Sequence, residues 1–186
     1  MEVYVVRHGL TELNKQKKVN GQIDEPLAPE GIKQAKAAIS LIPESTKHIY
    51  SSTLLRARQT AEIINAKLNR PISYHNELGE IHMGSLAGKA WVEMKGGIKL
   101  KIKHRSIQFD YRSYGGESAA EVKKRLTAFL KEIKGKHSDH EALLVTHGGI
   151  IRLMYLLEYD QPLVDEIEHI LPHTFDLSKI LKRFNA

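Results

Sequence analysis

Short apolar runs alternate along this chain with longer stretches of helical periodicity. Val3 to Val6 is apolar or aromatic at every position, as expected of a strand buried on both faces of a parallel sheet. It stops at Arg7-His8-Gly9. Ala142 to Val145 repeats the design: a short apolar strand that stops at Thr146-His147-Gly148-Gly149 and leads into an apolar helical stretch from Ile150 to Leu157. Between them, Pro29 to Leu41 predicts a helix, with Pro29 suited to its first turn, Ile32, Ala35 and Ile39 on one face, and no polar cap at Ala28. His48 to Tyr50 predicts a short strand. Ser51-Ser52-Thr53 then offers capping hydroxyls to a helix from Leu54 to Leu68, whose Leu54, Ala57, Ala61 and Ile64 point inward. Ile72 to Tyr74 reads as a further strand, and Ser118-Ala-Ala-Glu121 as a capping box that opens a helix through Lys134.

Strands that alternate with helices predict an α/β fold. In open α/β sheets a ligand sits in the crevice beyond the carboxyl ends of the strands. Two parallel neighbours ending at His8 and His147 would therefore bring both imidazoles to one pocket. Residues 86–114 break the alternation. They hold Gly88, Gly96, Gly97, the single tryptophan Trp91, and Lys99-Leu100-Lys101-Ile102-Lys103, a pattern compatible with an exposed strand or with one face of a basic helix. The segment is expected to be an insertion that covers or borders the pocket, with Gly115-Gly116 as its return turn.

At 186 residues, with 41% hydrophobic and 27% charged positions, the chain is expected to form one domain with its own core. It has no cysteine, which excludes disulfides, thiolate nucleophiles, thiolate zinc sites and thiol redox chemistry. The amino terminus lacks the basic-then-apolar pattern of a secretory signal, and Ile150 to Leu157, interrupted by Arg152, is too short to span a bilayer. A cytoplasmic protein without a membrane partner is the expectation. Net charge is +6, and residues 89–112 alone hold seven cations (Lys89, Lys95, Lys99, Lys101, Lys103, Arg105, Arg112) against Glu93 and Asp110. Such a balance suits an anionic partner, whether phosphate ester, nucleic acid or anionic surface.

The motifs fall in a familiar order. Arg7-His8-Gly9, Thr11, Asn14, Gly21-x-x-Asp24-x-Pro26-Leu27, Gly31-x-x-Gln34-Ala35, Ser51-Ser52-x-x-x-Arg56-Ala57-x-Gln59-Thr60-Ala61, Glu80, Gly115-Gly116-Glu117-Ser118 and Thr146-His147-Gly148-Gly149 together resemble the histidine phosphatase superfamily, from about residue 3 to about 152. The resemblance implies a phosphoglycerate mutase-like fold, a three-layer sandwich with a mostly parallel central sheet flanked by helices. It implies that His8 is a nucleophile forming a phosphohistidine, that Arg7 and Arg58 grip phosphoryl oxygens, and that a protonated His147 and the amide of Asn14 complete the cradle. Glu80 takes the family's general acid position, with Glu77 as its nearest competitor, and Arg56 is read as structural. Thr11 and Gln22 are candidate substrate contacts. No cofactor or metal is implied, and His137-Ser-Asp-His140, which invites a metal reading, is expected to be a solvated polar loop.

Within that family the sequence points to a phosphatase branch. Ile81 follows Glu80 where mutases generally carry Arg, and the short lid and tail would shield a phosphohistidine from water less well. The expected reaction is metal-independent hydrolysis of a small phosphorylated metabolite. Phosphoglycerate mutase-type transfer is the alternative, and an inactive polyanion-binding protein a more distant one. Leu10 departs from the pattern, standing where the family very often has Glu. Lys99, Lys101 and Lys103 are candidates for attracting a second phosphate or carboxylate on the substrate; a nucleic acid partner is not expected, since only Phe109, Tyr111 and Tyr114 offer stacking there.

Overall fold

The computed structural model describes residues 1–136 and 141–183. Its sheet has five strands: β1 (Glu2–Arg7), β2 (His48–Ser52), β3 (Ile72–His75), β4 (Ala142–Thr146) and β5 (His173–Asp176), in the order β3-β2-β4-β1-β5. All neighbours are parallel except β1 and β5. The antiparallel edge strand β5 was not among the strands expected from the sequence. Its run His173-Thr-Phe-Asp176 is too short and polar to stand out from loop, and it is recruited by register, with Phe175 opposite Val3.

Each central strand divides its side chains between the two faces, as a period of two requires. Val3, Val5 and Leu144 enter one core with α5 (Ala119–Lys136), α6 (Gly148–Tyr159) and α7 (Leu177–Lys182); Val6, Leu143 and Val145 enter the other with α2 (Pro29–Ala38) and α3 (Leu55–Leu68). The result is the three-layer arrangement the sequence implied. It also explains where a site forms. After β1 the chain leaves to the α2 face, and after the adjacent parallel β4 it leaves to the α6 face, so the carboxyl ends of these strands open into a crevice.

Local details agree with the sequence in part. Ser118 and Glu121 form the capping box, with Glu121 N–H on Ser118 Oγ at 3.3 Å and Ser118 N–H on Glu121 Oε2 at 2.8 Å. The start of α2 has no side-chain cap at Ala28. The expected hydroxyl caps of α3 are not used that way: Ser52 Oγ accepts from Leu54 N–H, Thr53 donates to Asn76, and the Leu55 N–H goes to Asp24 Oδ1 at 2.6 Å. A carboxylate from a distant loop is favoured at a helix start by the dipole. Residues 86–114 follow a 3-10 turn at Gly84–Leu86 and contain two more, Trp91–Glu93 and Arg112–Tyr114, with the helix α4 (Gly97–Arg105) between them. Lys99 to Lys103 is thus helical. Among the described residues no helix is long and apolar enough to cross a membrane. His137 and His140 lie outside the described residues.

Candidate functional site

Parallel pairing of β1 with β4 sets Arg7 against Thr146, so the residues that follow, His8 and His147, emerge side by side, ring centroids 5.0 Å apart. Both are buried. His8 Nδ1 lies 2.7 Å from the Gly9 carbonyl oxygen. A carbonyl can only accept, so Nδ1 carries the proton and Nε2 keeps its lone pair. That lone pair receives Arg56 Nε–H at 3.2 Å. Burial, then the positive charges of Arg56 and Arg7, holds the His8 pKa well below its ordinary value, so the ring is neutral. His147 is also held well below, by burial and then by Arg56 and Arg7. The protonated His147 of the sequence reading is therefore corrected to a neutral one: among the described residues no carboxylate pairs with it, and its Nε2 meets Ser52 Oγ at 2.8 Å.

A second correction concerns the arginines of α3. Arg56 is fully buried and donates to His8, to the Ile23 carbonyl at 2.7 Å and to the Gly21 carbonyl at 2.8 Å. Arg58 points away: its side chain is 48% exposed, 3.9 Å from Glu62 and stacked 5.0 Å above Tyr74. Two residues along a helix turn a side chain by about 200°, so only one of the pair can face the strand ends. Burial lowers the Arg56 pKa to about 10, with Glu80 opposing the shift.

Arg7 donates from Nη1 to the Ile167 carbonyl at 2.7 Å. Its Nε, like His147 Nδ1, is buried without a hydrogen-bond partner. Glu80 accepts Ile81 N–H on Oε1 at 2.9 Å and Gly149 N–H on Oε2 at 3.4 Å. Gly149 permits that approach, since a Cβ there would lie 2.5 Å from Glu80 Oε1. The loop carrying Glu80 is anchored by Arg125 of α5, which donates to the carbonyls of Glu77 (2.6 Å) and Glu80 (3.2 Å) and pairs with Glu117 at 2.9 Å. Glu77 does not border the cavity.

The cavity has a volume of about 500 Å³ and is bordered by Arg7, His8, Leu10, Asn14 and Glu80 among others. Arg56, hydrogen-bonded to His8, and His147, its ring tilted at 58° to that of His8, lie behind His8 and are not among the residues bordering the cavity. Asn14 borders it, with its amide engaged at 2.6 Å by Asn20. Thr11 does not: it is fully buried as the N-cap of α1 (Glu12–Lys15), its hydroxyl taking the N–H of Asn14 and the amide of Asn20. Gln22 is exposed and donates to the Glu80 carbonyl at 3.2 Å, placing it beside the site rather than in it. The sequence reading missed His169, whose Nδ1 donates to the His8 carbonyl at 2.7 Å and whose ring edges His8 at 5.5 Å. Burial, then Arg7, lowers its pKa to about 4. Nothing near His169 marks it in sequence, since it arrives through the return of a loop onto the end of β1, where Ile170 N–H meets the Arg7 carbonyl at 3.0 Å. Among the described residues no group of three or more His, Cys, Asp or Glu is placed to hold a metal ion.

Comparison with known proteins gives a consistent picture. A family model described as the histidine phosphatase superfamily (branch 1) matches residues 3–180. Phosphoglycerate mutase-like protein 4 of Arabidopsis thaliana is 33% identical over 184 residues, covering 91% of this chain and 75% of the relative. A metal-independent phosphoserine phosphatase of the same plant is 34% identical over 163 residues, covering 83% and 67%. Among solved structures, a mutant phosphoserine phosphatase of Entamoeba histolytica in complex with phosphoserine superposes with a TM-score of 0.80 at 26% identity, covering 94% of this chain and 90% of that one.

Proposed function

Because the chain belongs to the histidine phosphatase superfamily, we propose that it hydrolyses a small phosphomonoester, without a metal, through a phosphohistidine on His8. The observation that carries this reading is the His8 tautomer: Nδ1–H is fixed on the Gly9 carbonyl and Nε2 holds a lone pair against the Arg56 guanidinium, with the charge of Arg7 also acting on the ring. A neutral imidazole is a competent nucleophile, and its low pKa keeps it so across the neutral range.

In the first step His8 Nε2 attacks phosphorus in line with the ester oxygen. The N–P bond forms as the P–O bond to the substrate breaks, and the lone pair exchanges its hydrogen bond from Arg56 for phosphorus. Arg56 Nε then turns to a phosphoryl oxygen, while Arg7 Nε and, in its Nδ1–H tautomer, His147 supply buried donors without other partners. Leaving such donors unpaired costs about 1–3 kcal/mol each, so they favour an anion that pairs them. Glu80, as the carboxylic acid, gives its proton to the departing alkoxide. In the second step Glu80 as carboxylate takes a proton from water, whose oxygen attacks phosphorus; the N–P bond breaks and inorganic phosphate leaves.

Two features support water over a second alcohol as the acceptor: the relative named as a phosphoserine phosphatase, and Ile81, an apolar side chain, following the acid. The mutase reading is kept alive by the relative named as phosphoglycerate mutase-like. Steady-state hydrolysis of p-nitrophenyl phosphate with chelator present tests the proposal. Activity that resists chelation and falls at least a thousandfold in His8→Ala is expected; unchanged turnover in that variant overturns it.

A further inference from the structure

The cavity holds more positive charge than a phosphoryl group requires. Six cationic side chains border it, Arg7, Lys17, Lys18, Lys101, Arg105 and Arg152, against the carboxylates Glu80 and Glu166. Three of the cations, two from α4 and one from α6, form a group of their own. Lys101, His104 and Arg105 stand at helical spacings of three and four on one face of α4, and Arg152 of α6 borders the same cavity, close enough for its charge to act on Arg105 and His104. The helical conformation is decisive here. In a strand Lys99, Lys101 and Lys103 would share a face, whereas the helix turns Lys99 and Lys103 out to solvent and Lys101 toward the cavity.

None of these three cations has an ion-pair partner among the described residues. Arg152 is only 7% exposed and spends a donor on the Leu163 carbonyl. Burial lowers its pKa to about 10, and the charges of Arg105 and Arg7 push the same way, with the more weakly acting carboxylates of Glu80 and Asp165 opposing. His104 is held at about 3 by burial and then by Arg152 and Arg105, whereas the arginines acting on His8 are Arg56 and Arg7. Like charges crowded in a half-dry pocket are costly unless an anion joins them. At about 500 Å³ the cavity is of small-metabolite size and far exceeds a lone phosphoryl group.

We propose that Lys101, Arg105 and Arg152 form a second anion subsite, so that the substrate is a small phosphomonoester with a further anionic group, carboxylate or phosphate, remote from the reacting phosphoryl. This rests on the reading of His8 given above. Two matched pairs of probes test it and separate the two anions. Glycerol 3-phosphate and 3-phosphoglycerate differ only in a terminal alcohol against a carboxylate; 1,3-propanediol monophosphate and bisphosphate differ only in a second phosphate. For at least one pair, kcat/KM is expected to favour the doubly anionic member at least tenfold. In Lys101→Gln/Arg105→Gln that ratio falls toward one, while Lys99→Gln/Lys103→Gln shifts it less than twofold.

Equal kcat/KM within both pairs overturns the subsite, and so does an equal loss of preference in the two double variants, which would indicate a diffuse field. If p-nitrophenyl phosphate is not hydrolysed at all, the hydrolase reading fails on its own. Calorimetric binding of the same pairs to the wild-type protein then decides the subsite: tighter binding of a doubly anionic member, lost in Lys101→Gln/Arg105→Gln, sustains it, and equal binding overturns it.

Discussion

Exchanging the two arginines of α3 one at a time separates a residue at the reacting group from its neighbour on the surface. Arg56 places three donors on three acceptors: His8 Nε2 at 3.2 Å, the Ile23 carbonyl at 2.7 Å and the Gly21 carbonyl at 2.8 Å. Lysine keeps the charge but gathers its donors on one nitrogen and cannot span that fork. Arg56→Lys therefore leaves one or two buried acceptors unpaired, at about 1–3 kcal/mol each, a stability loss of roughly 2–4 kcal/mol. If Arg56 also stabilises charge on the transferring phosphoryl group, its loss costs about 3–4 kcal/mol in the transition state, or roughly a hundred- to thousandfold in kcat.

Arg58 is half exposed, and its contacts are a 3.9 Å pair with Glu62 and the face of Tyr74. Arg58→Ala should stay within about 1 kcal/mol of the parent stability and within about twofold of its kcat. The assay is p-nitrophenyl phosphate turnover at a temperature where urea unfolding shows each variant more than 95% folded. Retention of more than a third of kcat by Arg56→Lys, or a loss of two orders of magnitude in Arg58→Ala, would refute the assignment.

Two further outcomes follow from the buried site. His8, His104, His147 and His169 all have folded-state pKa values below the unfolded value near 6.5, so the stability they allow is present above about pH 6.5 and is lost as pH falls, toward about 4 for His169 and about 3 for His104. Each adds up to about 1.4 kcal/mol per pH unit, and urea unfolding at pH 7, 6 and 5 should register an uptake of about three to four protons near pH 5; a flat profile is the contrary result. Gly149→Ala sets a methyl group against Glu80 Oε1 and the Ile81 side chain, and should cost about 1–3 kcal/mol and displace the carboxylate, lowering kcat for poor leaving groups more than for p-nitrophenolate. A uniform effect on both leaving groups would detach Glu80 from proton transfer.

The alternation of apolar runs and helical periodicity was enough to identify the α/β class, because burial on both faces leaves no polar position in a central strand such as Val3 to Val6. Convergence of His8 and His147 was legible for the same reason: two strands with one design, each ending in His-Gly, can share an edge only as parallel neighbours. Capping at Ser118 was readable because its partners lie three residues apart. Arg56 was not separable from Arg58 by such reasoning, since both fall in one motif and the phase of a helix against its sheet is set by packing of Ala57, Ala61 and Ile64.

Other features had no local signature at all. The place of His169 depends on a loop that returns to the end of β1, and β5 depends on an edge to pair with. Asp24, rather than the adjacent hydroxyls, meets the start of α3 because loop closure brings a carboxylate to that dipole. The charge state of His147 is likewise a property of the fold, since burial and three arginines from different elements, Arg56, Arg7 and Arg125, outweigh its intrinsic basicity. Sequence determined which chemical groups the protein carries and the periods that sort them into elements. Tertiary structure decided which of them meet, because rotation about a helix, the path of a loop and the dielectric around a buried ring arise only when distant segments pack together.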